Sequence, residues 1–325
     1  MWHHRKLTGA GLLLVVSLLL NVIAFLHARA MTHYVPGGTR PARPESLTVL
    51  EKAGVLLAGV TVPRPENAAT PASVGLAFTA HRFAGDGGSD LEAWHVAHPE
   101  PKGLVLLFPG YAAAKDSLLG EARAFHDLGF ASFLVDFRGC GGSGGCETTI
   151  GVEEARDVAR AVDYAGRRWP GQPLVLFGHS MGAVAVLRAV AVEEVRPAAV
   201  VVECPYDRLL TTVANRFSAM GLPSFPFAQL LVFWGGVQQG FNGFRHNPVD
   251  YAPAVGCPVL QLHGAEDPRV SVAQAEAVFQ RLGGEKRFEL FTGVGHESYV
   301  AAKPHQWKRS VSEFLARYVS QVPGN

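Results

Sequence analysis

The sequence predicts a doubly wound α/β fold: a mostly parallel, eight-stranded sheet with helices on both faces. Three observations lead there. From Ser73 onward, β-rich apolar runs alternate with amphipathic helical ones, the order of elements that builds a parallel sheet. Runs such as Leu104-Val105-Leu106-Leu107-Phe108 and Leu174-Val175-Leu176-Phe177 are apolar without alternation, as strands covered on both faces are. Composition agrees: 48 % hydrophobic and 18 % charged residues, with 36 Gly and 21 Pro, exclude a disordered chain and a coiled coil.

The elements follow in chain order. Leu7 to Leu26 is an uncharged run of twenty residues; as a helix it would span about 30 Å, the thickness of a bilayer's hydrocarbon core. A basic start (Arg5, Lys6) and small residues at Ala28 and Ala30 suit a signal peptide cleaved after Ala30. The length of the run favours a retained membrane anchor instead, and residues 1–30 are read as one or the other. Arg29, Arg40 and Arg43 follow the run, so basic residues flank it on both sides and do not orient it. If the start stays inside, both readings put the bulk of the chain outside the cytoplasm, either anchored or secreted and periplasmic. Residues 31–72 carry Pro36, Pro41, Pro44, Pro63, Pro65 and Pro71 and read as a Pro-rich linker packed loosely on the body, with a short helix over Glu45–Ala58.

Strands are expected at Gly75–Arg82, Leu91–Ala97, Gly103–Phe108, Ala131–Phe137, Pro173–Phe177, Ala198–Glu203, Pro258–His263 and Arg287–Phe291, the first two as an antiparallel edge hairpin. Helices are expected at Ser117–Leu128, Val152–Arg168, Met181–Val192, Ser271–Leu282 and His305–Val319. Residues 73–325 are read as one domain. Its ligand site belongs at the carboxyl ends of the strands.

The charge balance, 29 Lys+Arg against 28 Asp+Glu, shows no basic excess and gives no reason to expect a nucleic-acid partner. Four cysteines do not make a disulfide scaffold. Cys140 and Cys146 could bridge in an oxidising compartment, while Cys204 and Cys257 should stay free. No cysteine–histidine spacing suggests a metal, and no cofactor is implied.

Two stretches match Gly-x-Ser-x-Gly. Gly178-His179-Ser180-Met181-Gly182 directly follows a predicted strand and runs into a predicted helix, the setting of a nucleophile elbow. Gly141-Gly142-Ser143-Gly144-Gly145 abuts neither and reads as a flexible loop. That loop also reads Gly139-x-Gly141-x-x-Gly144, but no helix opens inside it to meet a pyrophosphate. Ser180 is therefore the candidate nucleophile.

A serine hydroxyl needs a histidine to take its proton and a carboxylate to orient that histidine. Asp267 follows the strand ending at His263, and His296 follows the strand ending at Phe291, so both fall on the sheet edge that bears Ser180. Glu266 and Asp207 are the alternative acids. Developing negative charge calls for two backbone N–H donors. One is expected at Met181 and the other at Tyr111, where Gly110 lets the backbone approach.

With these residues in place, the chain resembles the α/β-hydrolase superfamily, in its serine-aminopeptidase and monoacylglycerol-lipase-like branch. The resemblance is carried by Pro109-Gly110, Asp136-x-Arg138-Gly139-x-Gly141-x-Ser143, the Gly-His-Ser-Met-Gly elbow, His263-Gly264-x-x-Asp267-x-x-Val270 and Gly293-x-Gly295-His296, over residues 74 to 320. Pro109 stands where the family usually has His. The resemblance implies a hydrolase of an ester, thioester or amide, acting through Ser180, Asp267 and His296, with Arg138 and the glycine loop structural.

This fold often carries a cap insertion between strands 6 and 7. Here residues 205–250 are unusually aromatic, with Phe217, Phe225, Phe227, Phe233, Trp234, Phe241 and Phe244. They would line an acyl-binding pocket, glue the insertion to the body, or both. The expected partners are a small-molecule or acyl substrate and the membrane. A serine aminopeptidase, or a silent binding protein on the same fold, is the alternative.

Overall fold

Continuous runs of Val, Leu and Phe with no polar face can only be satisfied in the centre of a sheet. The computed structural model, which describes residues 2–37, 48, 54 and 59–319, places them there. The eight strands are β1 (Thr79–Ala84), β2 (Asp90–Val96), β3 (Leu104–Phe108), β4 (Ala131–Val135), β5 (Leu174–His179), β6 (Ala199–Glu203), β7 (Val259–Gly264) and β8 (Lys286–Phe291). They lie in the order β1-β2-β4-β3-β5-β6-β7-β8. β1 and β2 form the expected antiparallel hairpin, β2 meets β4 antiparallel, and every later pairing is parallel. β3 to β7 are buried along most or all of their length.

The helices are α1 (Trp2–Thr32), α2 (Leu119–Asp127), α3 (Glu154–Arg168), α4 (Met181–Val192), α5 (Leu209–Ala219), α6 (Phe227–Gln239), α7 (Pro248–Tyr251), α8 (Val272–Arg281), α9 (Tyr299–Ala302) and α10 (Pro304–Tyr318). α3, α4 and α8 pack on one face of the sheet and α2 and α10 on the other. The expected elements agree with these to within a few residues. The exceptions are α5, α6 and the short α7 and α9, which the pattern did not show. The helix expected over Glu45–Ala58 falls almost wholly outside the described residues.

Residues 59–72 differ from the loose linker expected. Arg64 donates to the carbonyls of Gly141 and Ser143 at 2.8 and 2.5 Å, Gly141 N–H donates to Pro65 O at 2.8 Å, and Asn67 Nδ2 donates to Asp136 at 2.8 Å. The glycine loop is equally pinned rather than flexible. Ser143 is buried, its hydroxyl donating to Asp136 O and accepting from Glu92 N–H. No hydroxyl is left there to react.

At the centre of this tie lies a buried charge pair. Asp136, at the end of β4, accepts from Lys115 N–H at 2.7 Å, Gly142 N–H at 2.8 Å and Asn67, and pairs with Lys115 Nζ. Lys115 also reaches Glu92 at 3.0 Å and lies 4.1 Å from the centre of the Trp94 ring. One carboxylate thus joins the β3 loop, the glycine loop and the 59–72 strap. Breaking a buried pair strands a charge and costs about 3–5 kcal/mol. Lys115→Met should lower unfolding stability by that amount in denaturant titrations followed by tryptophan fluorescence. A loss below about 1 kcal/mol would show that the pair does not hold the loops.

Candidate active site

β5 must turn sharply into α4 within a few residues, and the local sequence permits it. Ser180 sits at φ 54° and ψ −114°, a strained conformation for a side-chain-bearing residue. Its neighbours must then be nearly touching. A Cβ on Gly178 would stand 2.5 Å from the Gly182 backbone, and one on Gly182 would run into the carbonyls of Phe108 and Pro109. Ser180 N–H donates to Glu203 O at 2.8 Å, tying the elbow to the end of β6. The hydroxyl is thereby lifted to the carboxyl edge of the sheet, at the N-terminus of α4, where the helix dipole favours negative charge.

His296 and Asp267 arrive at that edge from the loops after β8 and β7. His296 Nε2 lies 3.0 Å from Ser180 Oγ, and His296 Nδ1 lies 2.6 Å from Asp267 Oδ2. Asp267 Oδ1 accepts the N–H groups of Arg269 and Val270 at 2.7 and 3.0 Å, which turns Oδ2 toward the imidazole. Ser298 Oγ donates to Glu121 Oε1 at 2.5 Å, and Gly264 N–H donates to the Tyr299 hydroxyl at 2.8 Å; both hold the loops that carry the pair. The alternative acids lie elsewhere. Glu266 is exposed, and Asp207 accepts from Gln274 Nε2 at 2.9 Å. Tyr111 and Met181 both border the cavity that contains Ser180, and the Gly110 backbone lies against His179 and Ser180.

The site holds a cluster that the sequence did not reveal. Cys204 Sγ lies 3.9 Å from His296 Nε2 and 4.0 Å from His179 Nε2. His179 Nδ1 meets the buried carboxylate of Glu203 at 3.0 Å, and Trp307 Nε1 donates to the same carboxylate at 2.7 Å. The ligand atoms of His179, Cys204 and His296 fall within 4.8 Å of one another, close enough to hold a soft cation. These residues come from three separate strand ends, so no spacing announced them. The one local signal was the position of Cys204 directly after a strand. All four cysteines, Cys140, Cys146, Cys204 and Cys257, are free thiols, so the Cys140–Cys146 bridge is not formed.

Burial alone would strip His296 of its proton, but the Cys204 sulfur and the Asp267 carboxylate outweigh it and hold its pKa above the ordinary histidine value. Burial likewise opposes the Asp267 carboxylate, yet its bond to His296 prevails and keeps its pKa low.

The cavity over Ser180 is walled by α5 (Leu209, Val213), α6 (Leu231, Val232) and, unexpectedly, the end of α1 (Ala28, Met31, Thr32). The Tyr111 hydroxyl donates to Met31 O at 2.7 Å, and Ala112 N–H donates to the Tyr34 hydroxyl at 3.2 Å. Arg216 stacks 5.4 Å from the centre of the Tyr111 ring.

The family model described as serine aminopeptidase, S33, matches residues 99–231. The chain is 26 % identical over 231 residues to the uncharacterised protein YqkD of Bacillus subtilis, covering 70 % of this chain and 76 % of that one. It is 25 % identical over 254 residues to a monoacylglycerol lipase of Mycolicibacterium smegmatis, covering 67 % and 90 %. The solved Pyrococcus furiosus esterase Pf2001 superposes with a TM-score of 0.68 at 23 % identity, covering 80 % of this chain and 98 % of that one, and so shares its fold.

The elbow glycines yield a prediction of sign. Gly182→Ala forces a carbon into two backbone carbonyls and should destabilise by about 1–3 kcal/mol. Gly166→Ala, in α3 with open space around it, should stabilise by about 1 kcal/mol. Thermal unfolding of the two variants checks this, and equal shifts would contradict the close approach.

Proposed function

We propose that this chain, a member of the α/β-hydrolase superfamily, is a membrane-associated serine hydrolase that cleaves an acyl ester through an acyl-enzyme intermediate. The contact chain Ser180–His296–Asp267, on a strained elbow that opens into an apolar cavity, carries the reading. His296 Nε2 takes the proton as Ser180 Oγ attacks the carbonyl carbon, and Asp267 steadies the imidazolium at Nδ1. The backbone N–H groups of Met181 and Tyr111 receive the oxyanion. His296 then hands the proton to the leaving alcohol. In the second half water attacks the acyl carbon as His296 takes its proton, and His296 returns that proton to Ser180 Oγ as the C–O bond breaks and the acid is released.

The cavity favours an ester with an apolar acyl group over a peptide. Among the described residues lining it there is no Asp or Glu, so no carboxylate is offered to a substrate's amino terminus. The monoacylglycerol lipase relative points the same way, and thioesters are open to the same chemistry. An intact, ordered triad speaks against a silent binding protein.

Residues 1–30 act as a retained anchor in this reading. Nine Leu and Val side chains between Leu12 and Leu26 are at least 44 % exposed, and moving each out of water gains about 1 kcal/mol or more. The end of the same helix walls the cavity, which cleavage would open. With the chain's start inside, residues 73–325 form one catalytic domain outside the cytoplasm.

Ser180→Ala should lower kcat/KM on p-nitrophenyl esters by at least about 10³-fold with unfolding unchanged, and butyryl or longer chains should be preferred to acetyl. Undiminished turnover would overturn the assignment. Turnover needs His296 without its proton, so kcat/KM rises as pH climbs through the pKa of His296. Because the Cys204 sulfur raises that pKa, Cys204→Ala should move the rising limb to lower pH. A limb that stays in place or moves up would contradict the electrostatic account.

A further inference from the structure

The uncharged run of α1 ends at Leu26. If that run fills the hydrocarbon core, Asn21 lies about 8 Å inside its edge and Phe25 just within it. Both positions are taken by α6. Trp234 Nε1 donates to Asn21 Oδ1 at 3.2 Å, Gln238 Nε2 donates to Phe25 O at 2.8 Å, and the Phe25 and Trp234 rings meet edge to face at 5.4 Å. Four residues of α6 thus track four of α1, so the helices run side by side in the same direction. The N-terminal end of α6 therefore points back toward the middle of the apolar run.

We propose that α6 lies in the membrane beside α1, and that the substrate is a bilayer-resident acyl lipid whose chain reaches Ser180 along the seam between the two helices. The inference rests on the reading of Ser180 as nucleophile.

The chemistry of α6 suits hydrocarbon on its outer side. Its sequence, Phe227 to Gln239, holds no charged residue. Phe233 and Val237 are 47 % and 55 % exposed, and Phe225, just before the helix, is 74 % exposed. Like the leucines of α1, these side chains leave apolar surface bare. Of the polar groups on the helix pair, the Asn21 amide is satisfied on both atoms, Nδ2 donating to Ser17 O at 2.9 Å and Oδ1 accepting from Trp234. Gln238 Nε2 is satisfied by Phe25 O, while Gln229 Oε1, Gln238 Oε1 and Gln239 Nε2 have no partner among the described residues. An unpaired amide at the depth of Asn21 would be expensive.

The inner side of the same pair leads to the site. Ala28, one turn beyond Phe25, shares the cavity with Leu231 and Gly235 of α6 and with Ser180. The distance from the seam at Phe25 to the cavity wall at Ala28 is about 5 Å along the helix. In this proposal the acyl chain enters the cavity between Ala28 of α1 and Leu231 and Gly235 of α6. That accounts for an N-terminal helix forming part of a hydrolase cavity, which tethering alone does not require.

The test uses the full chain reconstituted in phosphatidylcholine vesicles. Phosphatidylcholine brominated along its acyl chains should quench the fluorescence of Trp234, read as the difference between the protein and Trp234→Phe. Phe233→Glu with Val237→Glu, on the outer face, should abolish that quenching. It should also lower turnover of a long-chain monoacylglycerol in the vesicles at least tenfold, leaving p-nitrophenyl butyrate in solution within about twofold. Absence of Trp234 quenching in the unsubstituted protein, or equal loss on both substrates, would overturn the proposal. A protein that hydrolyses neither ester, with quenching intact, would instead overturn the reading of Ser180.

Discussion

A serine held at positive φ is the constraint on which the rest of this structure depends. The strain at Ser180 is sustained because β5 and α4 are both locked: the strand by parallel pairing on either side, the helix by near-complete burial. Gly178 is required by its contact with the Gly182 and Ala183 backbone at the start of α4, and Gly182 by the close approach of Phe108 and Pro109 at the end of β3. That approach brings Tyr111 and Met181 to the same cavity as the hydroxyl. Packing, backbone strain and candidate chemistry are one arrangement here; relaxing the elbow would disperse all three.

Two polar assemblies stabilise this geometry from opposite sides. On one, Asp136 and Lys115 bind the β3 loop to the glycine loop and to the 59–72 strap. On the other, Glu203 receives His179 and Trp307 behind the elbow, while Cys204 stands beside His296. Buried charges of this kind are costly unless paired, so they restrict the loops to one placement rather than adding much net stability. The Cys204 sulfur, 3.9 Å from the same His296 Nε2 that meets Ser180 Oγ, also raises the proton affinity of that imidazole.

Much of this was legible in the sequence, for a physical reason. In a parallel sheet every strand ends at the same edge, so Ser180, Asp267 and His296, each just after a predicted strand, had to fall near one another. What was not legible depends on side-chain approach between distant segments, such as the cluster of His179, Cys204 and His296 or the grip of Arg64 on the glycine loop. α6 escaped because periodicity needs a polar face to contrast with an apolar one, and its outer face is also apolar. The contact of α1 with the cavity was hidden likewise. Composition marks a helix as able to cross a membrane but says nothing of what its last turn touches.

The central claim is that Ser180, rather than the neighbouring Cys204, is the nucleophile served by His296. Labelling the full chain with a fluorophosphonate and locating the adduct by peptide mass spectrometry tests it most directly. The account predicts one adduct, on the peptide carrying Ser180, lost in His296→Ala. No adduct, or an adduct on Cys204 or another residue with Ser180 unmodified, would contradict it.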